Sequence, residues 1–123
     1  MIQHMADGVE HIYLALGYTD FRKQINGLSS MVALQFKLDP YAGKSLFLFC
    51  NKRRTAIKAL RWDGNGFVLA SKNLVEHMKF QWPKTKGDLR NINKQELRWL
   101  LEGLQIDQKK AHAKNVDTSG TVF

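Results

Sequence analysis

Two apolar stretches, 56–62 (AIKALRW) and 67–71 (FVLAS), stand on either side of Asp63-Gly64-Asn65-Gly66. No other feature narrows the possible folds as far. Asp-Gly and Asn-Gly both accept the positive φ that tight hairpins demand, so the two stretches read as adjacent antiparallel strands. Residues 45–50 (SLFLFC) are almost wholly apolar and suit a strand covered on both faces. Joining them through residues 51–55 (NKRRT) predicts a three-stranded meander over 45–50, 56–62 and 67–71. Positive φ is expected at Gly66, where a β-branched residue would then destabilise the turn.

Such a meander needs cover. Residues 9–16 (VEHIYLAL) read as a further strand of the same sheet. Phe21, Ile25, Leu28, Val32 and Phe36 then step by four, three, four and four, the spacing of one buried helix face over 21–36. Thr19 or Asp20 is placed to cap that helix, and Asp39-Pro40 ends it. Asn93 with Glu96 has the capping-box spacing. Leu97, Leu100, Leu101 and Leu104 follow as an apolar stripe, predicting a helix over 94–103 that stops near Gly103. The polar stretch 84–92 (KTKGDLRNI) reads as a loop. The expected fold is α+β: a small single domain over residues 1–106, with an antiparallel meander packed against a helix of the N-terminal half and a C-terminal helix. Residues 107–123 read as a polar, mobile tail. A chain of 123 residues with 44% hydrophobic content can bury roughly two-thirds of its unfolded surface in one core.

Several function classes drop out. The longest apolar run, Leu46 to Cys50, is far short of the roughly 20 residues a membrane span needs. The start, MIQHMADGVEH, has neither a basic segment nor an apolar block, so no signal peptide is expected. Cys50 is alone and can form no intrachain disulfide. A cytoplasmic location follows by elimination. His4, His11, His77 and His112 lack metal-ligand spacing, and no cofactor is expected. Gly43-Lys44-Ser45 ends like a phosphate-binding loop, but Leu38 stands where that motif requires glycine, and a strand follows instead of a helix. Asp20, Asp39 and Asp63 each suit a cap or turn, and the sequence does not show the convergence that a two-metal nuclease requires. The chain is not expected to be an enzyme.

Charge is more informative. The net +8 is concentrated in residues 44–98, where thirteen bases face four acids for a local balance of +9. Within that block no acid interrupts residues 44–62. A charge run is most often a solvated face. Here the run crosses a short turn between strands, which puts Lys52, Arg53 and Arg54 on an exposed tip and Lys58 and Arg61 along the adjoining strand. A β-ribbon of that width can enter a DNA groove or lie along phosphates. Trp62 and Trp82 could stack on bases, but a tryptophan in a small sheet is more often buried, and both are read as core.

A resemblance extends the reading. Thr19-Asp20-Phe21-Arg22-Lys23, Asn26-Gly27-Leu28 and Leu38-Asp39-Pro40-Tyr41-Ala42-Gly43 are matched in order by a family of bacterial mobile-element proteins. So are residues 46–54 (LFLFCNKRR), Ile57-Lys58, Trp62-Asp63-Gly64-Asn65-Gly66-Phe67, Lys72-Asn73-Leu74, Phe80-Gln81-Trp82-Pro83 and Leu100-Leu101-Glu102-Gly103. Across roughly residues 12–106 the chain resembles the accessory protein from the second open reading frame of insertion-sequence-66 elements. That protein is often called TnpB and is distinct from the larger RNA-guided nuclease of the same name. Cys50 and Thr55 depart from the pattern, standing where a larger polar or charged residue is expected. The resemblance implies a role in transposition beside a separate, larger transposase that carries the catalytic acids. Joined to the charge pattern, it predicts that Lys52, Arg53, Arg54, Lys58 and Arg61 bind duplex DNA at element ends. Five phosphate contacts would give a log–log salt slope near −4 to −5. The alternative is an adaptor whose basic hairpin docks an acidic surface of the transposase without touching DNA.

Overall fold

A computed structural model of the chain describes residues 1–84 and 87–107. Along them run α1 (Ile2–Met5), β1 (His11–Ala15), α2 (Ile25–Leu34), β2 (Ser45–Cys50), β3 (Ala56–Trp62), β4 (Phe67–Asn73), β5 (Leu89–Ile92) and α3 (Lys94–Leu101). The strands form one five-stranded mixed sheet in the order β4-β3-β2-β1-β5. The meander lies where the turn chemistry puts it: β2, β3 and β4 pair antiparallel, with Phe47 opposite Leu60 and Trp62 opposite Phe67. β1 joins the sheet parallel to β2, with Leu14 opposite Leu48. Parallel neighbours need a crossover, and α2 supplies it. The fold is α+β.

Every residue of β2 is buried. Its side chains alternate between two cores, as strand geometry requires. Leu46, Leu48 and Cys50 meet Leu14, Ile57, and Leu97 and Leu100 of α3 on one face. Phe47 and Phe49 meet Leu28 and Val32 of α2 on the other. An uninterrupted apolar strand is therefore what a sheet with helices on both faces needs at its centre.

Two of the expected elements are corrected. α2 begins at Ile25 instead of residue 21, and neither Thr19 nor Asp20 caps it; the N-cap is Gln24, which makes no side-chain bond. The Asp20 carboxylate is engaged elsewhere. It accepts from the Arg22 backbone N–H at 2.9 Å and from the Arg22 guanidinium at 2.7 Å. Those bonds hold its carboxyl well below the usual range, at about 2. The second correction is β5, which lies in the stretch read as a loop. Leu89–Ile92 pairs antiparallel with β1 at the sheet edge, and only Ile92 is fully buried. A strand so short, with polar flanks, cannot display an alternating pattern.

α3 follows expectation. Asn93 Oδ1 accepts from the Glu96 N–H at 2.8 Å while Glu96 Oε1 accepts from the Asn93 N–H at 2.9 Å, closing the capping box. Gly103, just past the helix, has φ +86°. Asp107, assigned to the tail, is ion-paired with Arg90 at 2.8 Å. Residues 108–123, the rest of the predicted tail, lie outside the described residues.

The β3–β4 turn carries its strain at a different glycine from the one expected. Gly64 has φ +76°, whereas Gly66 is not in the left-handed region. The Asn65 N–H donates to the Asp63 carbonyl at 2.8 Å, a three-residue turn centred on Gly64, and the Asp63 N–H donates to the Gly66 carbonyl at 2.7 Å. A Cβ at either glycine meets nothing within 4 Å, so the two positions differ in backbone conformation and not in room. Gly64→Val is expected to lower stability by about 1–2 kcal/mol, the cost of holding an L-residue left-handed. Gly66→Val should cost much less. Urea denaturation of the two variants side by side checks the assignment; equal losses would refute it.

Candidate nucleic-acid interface

The β2–β3 turn is built by Asn51. Its Oδ1 accepts from the Thr55 and Ala56 N–H groups at 2.9 and 3.1 Å, and its Nδ2 donates to Thr55 Oγ1 at 3.0 Å. Thr55, one of the departures from the family pattern, is thus the hydroxyl partner that completes the Asn51 ring of bonds. Cys50, the other, ends the buried strand, where a small apolar side chain fits. Burial pushes its thiol up to about 12. The turn closes with the Arg54 N–H donating to the Asn51 carbonyl at 3.1 Å. Arg54 then adopts φ +60°, a conformation glycine would take with less strain. A cation is held at a position that favours glycine.

The five cations assigned to DNA separate into two groups. Lys52 and Arg53 are exposed and Arg54 is partly buried. None of these three makes an ion pair among the described residues. The other two hold the fold together. Lys58 is only 8% exposed. Its Nζ donates to the Phe21 and Lys23 carbonyls, both at 2.9 Å, and lies 4.8 Å from the Phe21 ring centroid. Burial lowers its pKa from the ordinary lysine value. Arg61 reaches the opposite face of the sheet, where Nη1 donates to the Met5 and Asp7 carbonyls at 2.7 Å and Nε to the Gly43 carbonyl at 3.1 Å. Both were expected on a phosphate-binding strand; in the fold most of their donors go to backbone carbonyls, which sets them apart from the three cations of the tip. Lys58→Met keeps the alkyl stem but leaves two carbonyls without that donor, and should cost about 1–3 kcal/mol of stability. Thermal melting measures the loss; an unchanged melting temperature would free Lys58 for another role.

The fold brings a cation to the tip that sequence spacing could not place there. The Phe80 N–H donates to the Arg54 carbonyl at 2.7 Å, drawing residues 80–84 alongside the turn. Trp82, 5% exposed, locks that segment down by donating Nε1–H to the Ala15 carbonyl at 3.0 Å. Beside it, Gly17, Tyr18, Asn51, Lys52, Arg54, Trp82, Pro83 and Lys84 line a groove of about 290 Å³. Its charged lining is Lys52, Arg54 and Lys84, with no acid. Tyr18 is 62% exposed, and Lys52 Nζ stands 5.5 Å from its ring centroid. Trp82 is core, as read from the sequence. Trp62 is half-exposed instead, packed edge-on with Phe67 and Tyr41 at ring-centroid distances of 5.0 Å.

Asp20, Asp39 and Asp63 have separate local tasks. Asp20 binds Arg22, and Asp39 Oδ1 accepts from the Tyr41 N–H at 2.9 Å. Asp63 sits in the β3–β4 turn. Among the described residues no group of three or more His, Cys, Asp or Glu is placed to hold a metal, and no helix is long and apolar enough to cross a membrane.

Two relatives from Sinorhizobium fredii, both described as uncharacterized, are similar to the chain over most of its length. The protein y4jC is 36% identical over 99 residues, spanning 80% of this chain and 83% of its own. The protein y4hO is 32% identical over 93 residues, spanning 76% and 79%. No solved structure matches. The family described as IS66 Orf2 like protein matches residues 10–111, which take in β1 through α3 and the whole basic tip. The chain belongs to that family, accessory proteins of insertion-sequence transposition.

Proposed function

We propose that this accessory protein binds duplex DNA at element ends through the β2–β3 turn, within an assembly whose chemistry is carried out by a separate transposase. The observation that carries this reading is the set of cations at the tip. Lys52, Arg53 and Arg54 project from a turn whose backbone Asn51 fixes, and Lys84 is drawn in beside them. Clustered cations raise the local potential and favour a polyanion, whose counterions are released on contact; Asp107, which lines an adjoining pocket with Arg54 and Lys84, is ion-paired with Arg90. Binding to DNA would take place in the cytoplasm. The protein needs no catalytic group of its own for such a role, and positioning of DNA is the contribution assigned to it.

The test is fluorescence anisotropy with element-end and random duplexes across a salt series. Steep loss of affinity with salt for both duplexes supports phosphate contact by the tip. Binding that is absent at low salt, together with capture of the purified transposase by the same tip, would overturn it in favour of the adaptor.

A further inference from the structure

We infer that the groove beside the basic tip receives an unpaired nucleotide, its base against Tyr18 and its phosphates against Lys52, Arg54 and Lys84. This rests on the DNA-binding reading and names the form of DNA the site prefers. A duplex offers a protein its phosphate ridges and its stacked base edges, and it stacks no face against a side chain. A concave site with an exposed aromatic ring and surrounding cations matches the recurring platform for single-stranded nucleic acid, where rings stack on bases and cations follow the backbone. The volume, about 290 Å³, is near the lower bound of about 300 Å³ for pockets that hold small ligands.

Single exposed apolar side chains are ordinary on protein surfaces. Tyr18 differs because its backbone is pinned on both sides. The Leu16 N–H donates to the Asp88 carbonyl at 2.9 Å and the Thr19 N–H to the Cys50 carbonyl at 2.8 Å. Between them Gly17 takes φ +72°, which turns the chain outward before Tyr18. The ring is thus presented from an anchored loop. Lys52 stands within cation–π reach of one face of the ring. That contact is solvent-exposed and weak, so a base can displace the ammonium toward its own phosphate. Trp82, which is buried, and Pro83, which is partly buried, add apolar lining to the same groove.

The experiment compares the full chain's affinity for a blunt labelled duplex, the same duplex with a short single-stranded overhang, and the overhang strand alone as DNA or as RNA. The overhang duplex should bind tighter than the blunt one. Tyr18→Ala should remove that gain, weakening overhang and single-strand binding by about 5- to 150-fold, the fold-change that corresponds to one base–aromatic stack. Tyr18→Phe should retain the gain, because the ring and not the hydroxyl is used. The blunt duplex should bind Tyr18→Ala as it binds the wild type, with the same salt slope. Equal wild-type affinity for blunt and overhang duplexes would overturn the inference while duplex binding by the tip stood. An overhang gain that survives Tyr18→Ala, or tighter binding of the RNA strand than of the DNA strand, would also overturn it. If the triple Lys52→Ala, Arg53→Ala, Arg54→Ala variant kept full blunt-duplex affinity, the tip's duplex binding would fail instead.

Discussion

Replacing Lys52, Arg53 and Arg54 together with Ala should flatten the salt dependence of duplex binding by about 2 to 3 units of log–log slope. Each phosphate contact contributes about −0.9 to that slope on B-form DNA. Three tip cations plus Lys84 therefore imply a wild-type value of about −3 to −4. This is shallower than five contacts would give, because Lys58 and Arg61 spend most of their donors on backbone carbonyls within the fold. The loss should be nearly uniform across sequences, since phosphates carry no base identity. One exception has a clear signature: an arginine that reads a guanine edge would cost about 1–3 kcal/mol at that base alone. The variant should remain folded. Lys52 and Arg53 are exposed, and Ala at position 54 exchanges one left-handed L-residue for another. Circular dichroism beside the salt series separates the outcomes. A folded variant with an unchanged slope would move the tip from DNA to an acidic protein surface.

The fate of these five cations shows how far one sequence could be read. The meander was legible because its signals are local: an apolar run, a turn with glycines at the right offsets, another apolar run. The capping box of α3 was legible for the same reason. Lys58 and Arg61 were not. Strand alternation puts neighbours on opposite faces, but only the folded chain reveals that residues 21–23 cover one face and residues 5–7 the other. Their charges looked free because the carbonyls that bind them are distant in sequence. Tyr18 and Lys84 carry no site signal in the sequence, for the converse reason. They join the tip only through the parallel β1–β2 pairing and through the Phe80–Arg54 and Trp82–Ala15 bonds, all long-range. The start of α2 is set by a local competition. Asp20 had the right chemistry for a cap, but its side chain turned to Arg22 two residues on.

The largest stability effect is expected at Trp82, which joins the core to the groove. Trp82→Ala removes a side chain that is 5% exposed and packed in the same cluster as Phe80, Leu14 and Ile106. Large-to-small changes of this kind cost about 3–5 kcal/mol. The Ala15 carbonyl, itself in a buried residue, also loses the indole donor. Against a total stability of roughly 5–15 kcal/mol, this approaches the margin for folding at all. Trp82→Phe keeps most of the ring and should lose only the hydrogen bond and a small volume, about 1–2 kcal/mol. Denaturant titration ranks the two. Cys50 gives an independent readout, because a thiol that is 1% exposed and pushed up to about 12 should resist alkylation until the domain opens. Trp82→Ala should therefore label faster than Trp82→Phe, and both faster than wild type. The contrary result is equally specific. Unchanged stability and labelling, with DNA binding abolished, would make Trp82 a base platform and not the anchor that holds Lys84 beside the tip.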